Sequence, residues 1–253
     1  MKIDDIISKN RAVVFGRSDD RKRTIGTRCT TYGSGDDIMF IFTHWHATGR
    51  GMRRIASSIG KYKSVYIIHT NTLLLRDPHT TLDIFTAHNA QSLAVAHRVI
   101  SKTKPRSIHI VGISIGCVTA AYVASNLKGL KSQTIDLICP GASLAPSLWT
   151  STRTPFIKKQ YSRRNVTLKQ LEYWWRDLAP INNLGFVNGN AVRIFYSLAD
   201  TAIPRIQAQI LIEKIRHMHP KSFQVVRNRY LGHYLTLMSV WVLWARKYGK
   251  VVS

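Results

Sequence analysis

Apolar and polar positions along the 253-residue chain follow two periods in turn. Short runs rich in β-branched and aromatic residues, at 12–16, 24–31 and 38–43, are bounded by charged or Gly-containing turns and read as strands. From residue 50 the pattern becomes regular. Helical stretches at 50–59, 82–101 and 115–127 are interleaved with strands at 64–69, 107–112 and 134–139. Alternation of this kind requires parallel crossovers, and a continuous apolar strand such as Ile108-His109-Ile110-Val111 requires cover on both faces. The predicted fold class is therefore α/β, with a mostly parallel central sheet and helices on both faces.

The alternation breaks after Pro140-Gly141. Residues 142–190 hold Pro146, Pro155 and Pro180, a basic-aromatic run at 156–164 and a helical pattern at 168–177, without a clear strand. Strands at 191–197 and 222–227 and helices at 205–218 and 235–248 then resume the earlier rhythm. An insertion placed between two sheet strands is expected to form a lid over the strand ends, where open α/β sheets bind ligands. The chain is otherwise free of linker-like or repeated segments, so residues 1–253 are expected to form one domain with a lid at about 142–190.

One junction carries chemistry. Gly112-Ile113-Ser114-Ile115-Gly116 follows the apolar strand at 107–112 and opens a helix rich in small residues. A serine hydroxyl is a weak nucleophile, and a sharp strand-to-helix turn exposes it beside a base while the glycines relieve crowding. The helix start also aims the backbone N–H of Ile115 at a developing oxyanion. The same five residues would equally suit a plain turn in which serine caps the helix. An acid and a histidine should then follow in that order, each after a later strand. Asp200 comes just past the strand at 191–197, and His233 just past the strand at 222–227. Taken singly, Asp200 also suits a turn or helix cap, and His233 an ordinary loop histidine. The competing acid position, after Cys139, holds no carboxylate.

With these residues in place, the chain resembles the α/β-hydrolase superfamily, especially its small single-domain serine esterases and lipases. The resemblance runs from about the third strand to the last helix. It implies a catalytic triad of Ser114, Asp200 and His233, with Pro204 four residues after the acid and Gly232 before the histidine, as in many members. The family's second oxyanion donor comes from the loop after the third strand, often His-Gly. Here that loop begins His44-Trp45, so His44 matches while Trp45 replaces the glycine and is expected to supply its backbone N–H. Together with Ile115 these form the expected substrate-binding set. His44 and His46 would also serve as metal ligands, but no third ligand is identifiable, so neither a metal nor a cofactor is expected.

Composition refines the expected partners more than the fold. Lys and Arg number 37 against 13 Asp and Glu, a net charge of +24. This excess favours anionic partners, either acidic substrates, anionic membrane surfaces or nucleic acid, or it is simply a solvated basic surface. The aromatic-rich segment lacks the strand alternation of a base-stacking platform, so specific nucleic-acid binding is not expected. Seven basic residues lie between Arg153 and Arg176, together with Phe156, Tyr161, Tyr173, Trp174 and Trp175. A small acyl substrate of lipid-like or anionic character fits, with peripheral association to anionic membrane as a further possibility, and Trp174 and Trp175 would equally serve to pack the lid. Two acids near the N-terminus, no long apolar segment there and three unpaired-looking cysteines lead to an expected cytoplasmic location. The expected activity is hydrolysis of a carboxylic ester or related acyl bond. Acyl transfer or thioester cleavage on the same triad is the alternative, as is a non-catalytic basic protein binding nucleic acid or anionic membrane.

Overall fold

The computed structural model describes residues 12–15, 27–43, 50–61, 63–70, 77–127 and 133–249. Among the described residues, eight strands form one sheet: β1 (Ala12–Phe15), β2 (Thr27–Tyr32), β3 (Ile38–Phe42), β4 (Ser64–His69), β5 (Ile108–Ile113), β6 (Gln133–Ile138), β7 (Ala191–Ser197) and β8 (Ser222–Asn228). Their order is β1-β2-β4-β3-β5-β6-β7-β8. The β1–β2 and β2–β4 pairs are antiparallel, and every pair from β4 to β8 is parallel. All residues of β3 and β5 are buried, as expected of strands covered on both sides, whereas the edge strand β8 alternates between half-buried and exposed.

Strand order reverses at β3, because the chain steps outward from β3 to β4 and returns past β3 to β5. The helices making these two crossings, α1 (Arg50–Ile59) and α2 (Pro78–Thr103), cover opposite faces. The carboxyl ends of β3 and β5 therefore flank a topological switch point, the position at which such sheets bind ligands. Helices α3 (Gly116–Asn126) and α7 (Arg205–Arg216) join α2 on one face, and α8 (His233–Gly249) joins α1 on the other.

The insertion between β6 and β7 is helical, with α4 (Leu144–Thr150), α5 (Pro155–Ser162), α6 (Leu168–Trp174) and three short 3-10 turns. It has a small core of its own. Ile157, Tyr161, Leu171 and Trp175 are buried against Ile84 and Phe85 of α2 and against Ile115 and Val118 at the start of α3. Trp175 donates its indole N–H to the Pro78 carbonyl at 2.8 Å, and Arg164 reaches Asp77 at 2.8 Å, so the insertion stands on the first turn of α2. Truncating a buried tryptophan of this kind costs about 3–5 kcal/mol.

Several boundaries differ from expectation for identifiable reasons. Helix α2 starts at Pro78, four residues early, because the Asp77 side chain caps the N–H groups of His79 and Thr80 at 3.1 Å and Pro78 presets the first turn. Helix α4 has no counterpart in the hydrophobic pattern. Its Pro146 lies in the first turn, where a missing N–H leaves no bond unmade. The stretch at 168–177 divides after Trp174, since Leu178 bonds back to Trp175 and tightens the chain into a 3-10 turn. His233, expected in a loop, is the first residue of α8.

The core beneath α8 is not wholly apolar. Asp136 of β6 has no exposed side-chain surface and accepts two hydrogen bonds from the Arg193 guanidinium of β7, both at 2.6 Å. His109 of β5 sets Nε2 at 2.9 Å from the same carboxylate, and its ring meets the edge of Trp244 from α8. Burial pushes the Asp136 carboxyl upward, but the charges and hydrogen bonds of His109 and Arg193 outweigh it and hold the group below the usual carboxylate range. Among the described residues, no helix is long and apolar enough to cross a membrane.

Candidate active site

The turn after β5 is built by close contacts that only glycine allows. A Cβ on Gly112 would meet Ala120 Cβ and Cys117 Cα at 2.7 Å, so Gly112 lets α3 lie directly on its own strand. A Cβ on Gly116 would lie 2.3 Å from the Phe42 carbonyl and 2.6 Å from that of Thr43. Gly116 therefore brings the first turn of α3 against the exit of β3. Between them Ser114 adopts a left-handed φ of 54°, a conformation costing a non-glycine residue about 1–3 kcal/mol and held only where the surroundings over-determine it. They do so here: the Ser114 N–H donates to the Ile138 carbonyl at 2.8 Å, and its own carbonyl accepts from Cys117 N–H at 2.9 Å. The hydroxyl is thus presented at the strand ends while the backbone is tied on both sides.

Two later strands bring the partners. The Asp200 carboxylate accepts the N–H groups of Ala202 and Ile203 on Oδ1, both at 2.8 Å, leaving Oδ2 2.7 Å from His233 Nδ1. A carboxylate only accepts, so Nδ1 carries the proton and Nε2 is the bare nitrogen. That nitrogen lies 3.0 Å from Ser114 Oγ. The His233 and Asp200 side chains are 5% and 3% exposed, which shields their bond from water. Their loops are also tied together, because the Ser197 hydroxyl donates to the Leu231 carbonyl and Leu198 N–H donates to Asn228 O at 2.9 Å. Ser114, Asp200 and His233, inferred from three separate loops, thus come into one hydrogen-bonded line.

Ile115 directly follows the serine and leads into α3 with helical dihedrals, φ −58° and ψ −26°. Its neighbours in the expected oxyanion set, His44 and Trp45, lie outside the described residues, as does His46. The base of that loop is fixed, however. Thr43 accepts Thr70 N–H on its hydroxyl at 3.2 Å and the Thr70 hydroxyl on its carbonyl at 2.5 Å, beside Gly116.

Two features were not read from the sequence. Cys139, at the end of β6, places its sulfur within 4.8 Å of ligand atoms of Asp200 and His233. Burial and the Asp200 charge push this thiol well above its usual range, so it stays protonated; its S–H donates to the His233 backbone carbonyl at 4.0 Å, and it is not a metal-binding thiolate. Sheet order was the available signal, since β6 lies between the strands that deliver Ser114 and Asp200. The second feature is a cavity of about 100 Å³ that opens at Ser114 and His233. Its walls come from Ile115 and Val118 of α3, from the insertion residues Leu144, Leu148, Ser143, Ser147, Ser151, Arg153 and Thr154, and from Ala202 and Ile203 beside the acid. Hydrophobic periodicity had no means of finding it, because its hydroxyl-bearing wall belongs to the unforeseen α4 and the turn after it.

The chain has the α/β-hydrolase fold. Solved structures that match it include acylaminoacyl peptidase from Pyrococcus horikoshii, at 15% identity and a TM-score of 0.60 over 94% of this chain. A Pyrococcus furiosus esterase matches 99% of this chain and 92% of its own, at 14% identity and a TM-score of 0.59. A puromycin-hydrolyzing peptidase of Mycobacterium tuberculosis matches 95% of this chain at 13% identity and a TM-score of 0.59. The chain spans only 41% and 39% of the two peptidases' lengths, against nearly all of the esterase. No family model matches the sequence, and no curated protein matches it in sequence either.

Proposed function

We propose that this chain is a serine hydrolase that cleaves a carboxylic ester or related acyl bond through an acyl-enzyme. The observation that carries the reading is the continuous line from Asp200 Oδ2 to His233 Nδ1, 2.7 Å, and from His233 Nε2 to Ser114 Oγ, 3.0 Å, at the mouth of a cavity. Ser114 Oγ attacks the carbonyl carbon as its proton passes to Nε2, and the carbonyl electron pair moves onto oxygen. Asp200 holds the imidazole in the tautomer this requires and stabilises the cation that forms. Collapse of the tetrahedral species expels the alcohol, which takes the proton from Nε2, and water repeats the sequence in reverse order. The Ile115 N–H and that of Trp45 are assigned to the oxyanion, each contributing about 3 kcal/mol in comparable sites.

Cavity size narrows the substrate. A space of about 100 Å³ accepts an acyl chain of about four carbons, since benzene fills an engineered cavity of about 150 Å³. Two measurements test the reading. A fluorophosphonate probe should label the wild type and not Ser114→Ala, and p-nitrophenyl esters from acetate to octanoate should be turned over best near butanoate. Undiminished labelling of Ser114→Ala would place the nucleophile elsewhere, and an unreactive wild type would remove the proposal altogether.

A further inference from the structure

Arg153 stands apart from the other cations of the insertion. Arg164 pairs with Asp77, Arg176 lies over the Tyr173 ring with Asp177 beside it, and Lys158 lies over Trp149. Lys159, Arg163 and Lys169 are exposed, and none of these six cations lines the cavity. Arg153 has no acidic partner among the described residues, and it lines the cavity that holds Ser114 and His233. Among the described lining residues it is the one permanent charge, and none of them is a carboxylate.

Its position is also fixed to the triad. Thr152 donates its N–H and its hydroxyl to the Thr201 carbonyl, at 3.1 and 3.0 Å, and Arg153 Nε donates to the Thr201 hydroxyl at 3.3 Å. Thr201 directly follows Asp200, whose carboxylate is itself clamped by the next two backbone N–H groups. A guanidinium carries five N–H donors, and this one commits Nε to Thr201 while its terminal nitrogens are left for a planar anion. The Ser151 hydroxyl accepts the Arg153 N–H at 3.2 Å, so the turn that carries the side chain is held as well.

We infer that Arg153 is the substrate-selecting residue of this site and that the substrate is an acyl compound whose acyl chain ends in a carboxylate. The inference rests on the serine-hydrolase reading and adds the substrate class. The cavity accommodates the methylene chain, and the carboxylate meets the guanidinium in a charge-assisted bidentate pair.

The test compares p-nitrophenyl hydrogen adipate with p-nitrophenyl 6-methylheptanoate, in which an isopropyl group replaces the carboxylate. In the wild type kcat/KM should favour the adipate by about tenfold or more, the range of a charge-assisted hydrogen bond, and the preference should shrink as salt is raised to about 0.5 M. Arg153→Gln should abolish the preference, Arg153→Glu should invert it, and Arg153→Lys should keep part of it. Equal turnover of the two esters by the wild type, or a preference that survives in Arg153→Gln, overturns the inference while leaving the hydrolase reading intact. A gain confined to 4-butanoyloxybenzoate, where the carboxylate sits on the leaving group, overturns it too. Failure of the wild type to cleave either ester or to take up the fluorophosphonate probe removes the hydrolase reading, and this inference with it.

Discussion

Among the described residues are two buried aspartate–histidine pairs with opposite surroundings, one on the neighbouring strands β5 and β6 and one just past the ends of β7 and β8. In one, Asp136 is closed on all sides, with His109 at 2.9 Å and a bidentate Arg193 at 2.6 Å. In the other, Asp200 is fixed by two neutral backbone N–H groups, and the far nitrogen of its histidine faces a hydroxyl and a cavity. The first arrangement neutralises the carboxylate with a permanent cation and presents no lone pair to solvent. The second holds the carboxylate by dipoles, so that charge on the imidazole is what completes the pairing. On the proposed hydrolase reading, a pair built for a reacting site differs from one built for a core less in its two residues than in what occupies its remaining positions.

The largest predicted effect separates the two pairs by activity. Asp200→Asn should keep the fold, because a side-chain oxygen still accepts the Ala202 and Ile203 N–H groups. It should nevertheless lower kcat by about 10⁴-fold, since the amide no longer fixes the Nδ1–H tautomer that leaves Nε2 bare. Steady-state turnover of p-nitrophenyl butanoate alongside a thermal melt checks both halves. An unchanged kcat with a lowered melting temperature would reverse the roles assigned to the two aspartates.

The converse substitution reads stability. Asp136→Leu leaves Arg193 and His109 inside the sheet without their anion and should cost about 3 kcal/mol in urea unfolding. Adding Arg193→Met and His109→Phe should restore most of that loss, because apolar replacement of a whole buried cluster is often neutral or better. The Asp136 carboxyl is held below its ordinary range in the folded chain. Its contribution is therefore complete above the unfolded carboxylate value and is lost as pH falls through the lower folded one. The single substitution should accordingly flatten the most acidic part of the stability profile and leave neutral pH with a constant deficit.

What the sequence disclosed follows the same division. The Ser114–His233–Asp200 line was legible because each member lies in the connection just past a strand, and strand order is written in hydrophobic periodicity. The parallel sheet and the close packing of Gly112 and Gly116 are consequences of local pattern as well. Asp136 and Arg193 were not legible as a pair, since they are 57 positions apart and become neighbours only in the β6–β7 register. Arg153 likewise reads as one of several basic residues until its turn is tied to Thr201. Cross-strand and loop-to-loop partners depend on register and insertion packing, which single-residue preferences do not encode.

A third buried histidine completes the comparison by having no carboxylate. His88 of α2 sets Nδ1 3.0 Å from the Thr27 hydroxyl, and that hydroxyl donates to Gln91 Oε1 at 2.8 Å. The hydroxyl proton is thus committed, so Nδ1 must carry the hydrogen and donate it, leaving Nε2 bare and without a hydrogen-bond partner. Protonation at Nε2 would create a buried cation with an unmet N–H, and burial accordingly lowers the group from 6.5 to about 4. Between those values the unfolded chain binds a proton that the folded chain does not. Stability should then fall as the solution is acidified from about pH 6.5, by up to about 1.4 kcal/mol per pH unit, and the slope should fade near pH 4 as the folded form also titrates. Urea midpoints at pH 7, 6 and 5 should decline for the wild type and stay closer to level for His88→Gln. A wild-type profile that is flat over this interval and drops only below pH 4 would instead put acid sensitivity on Asp136, the pair with the cation, and not on the histidine that lacks an anion.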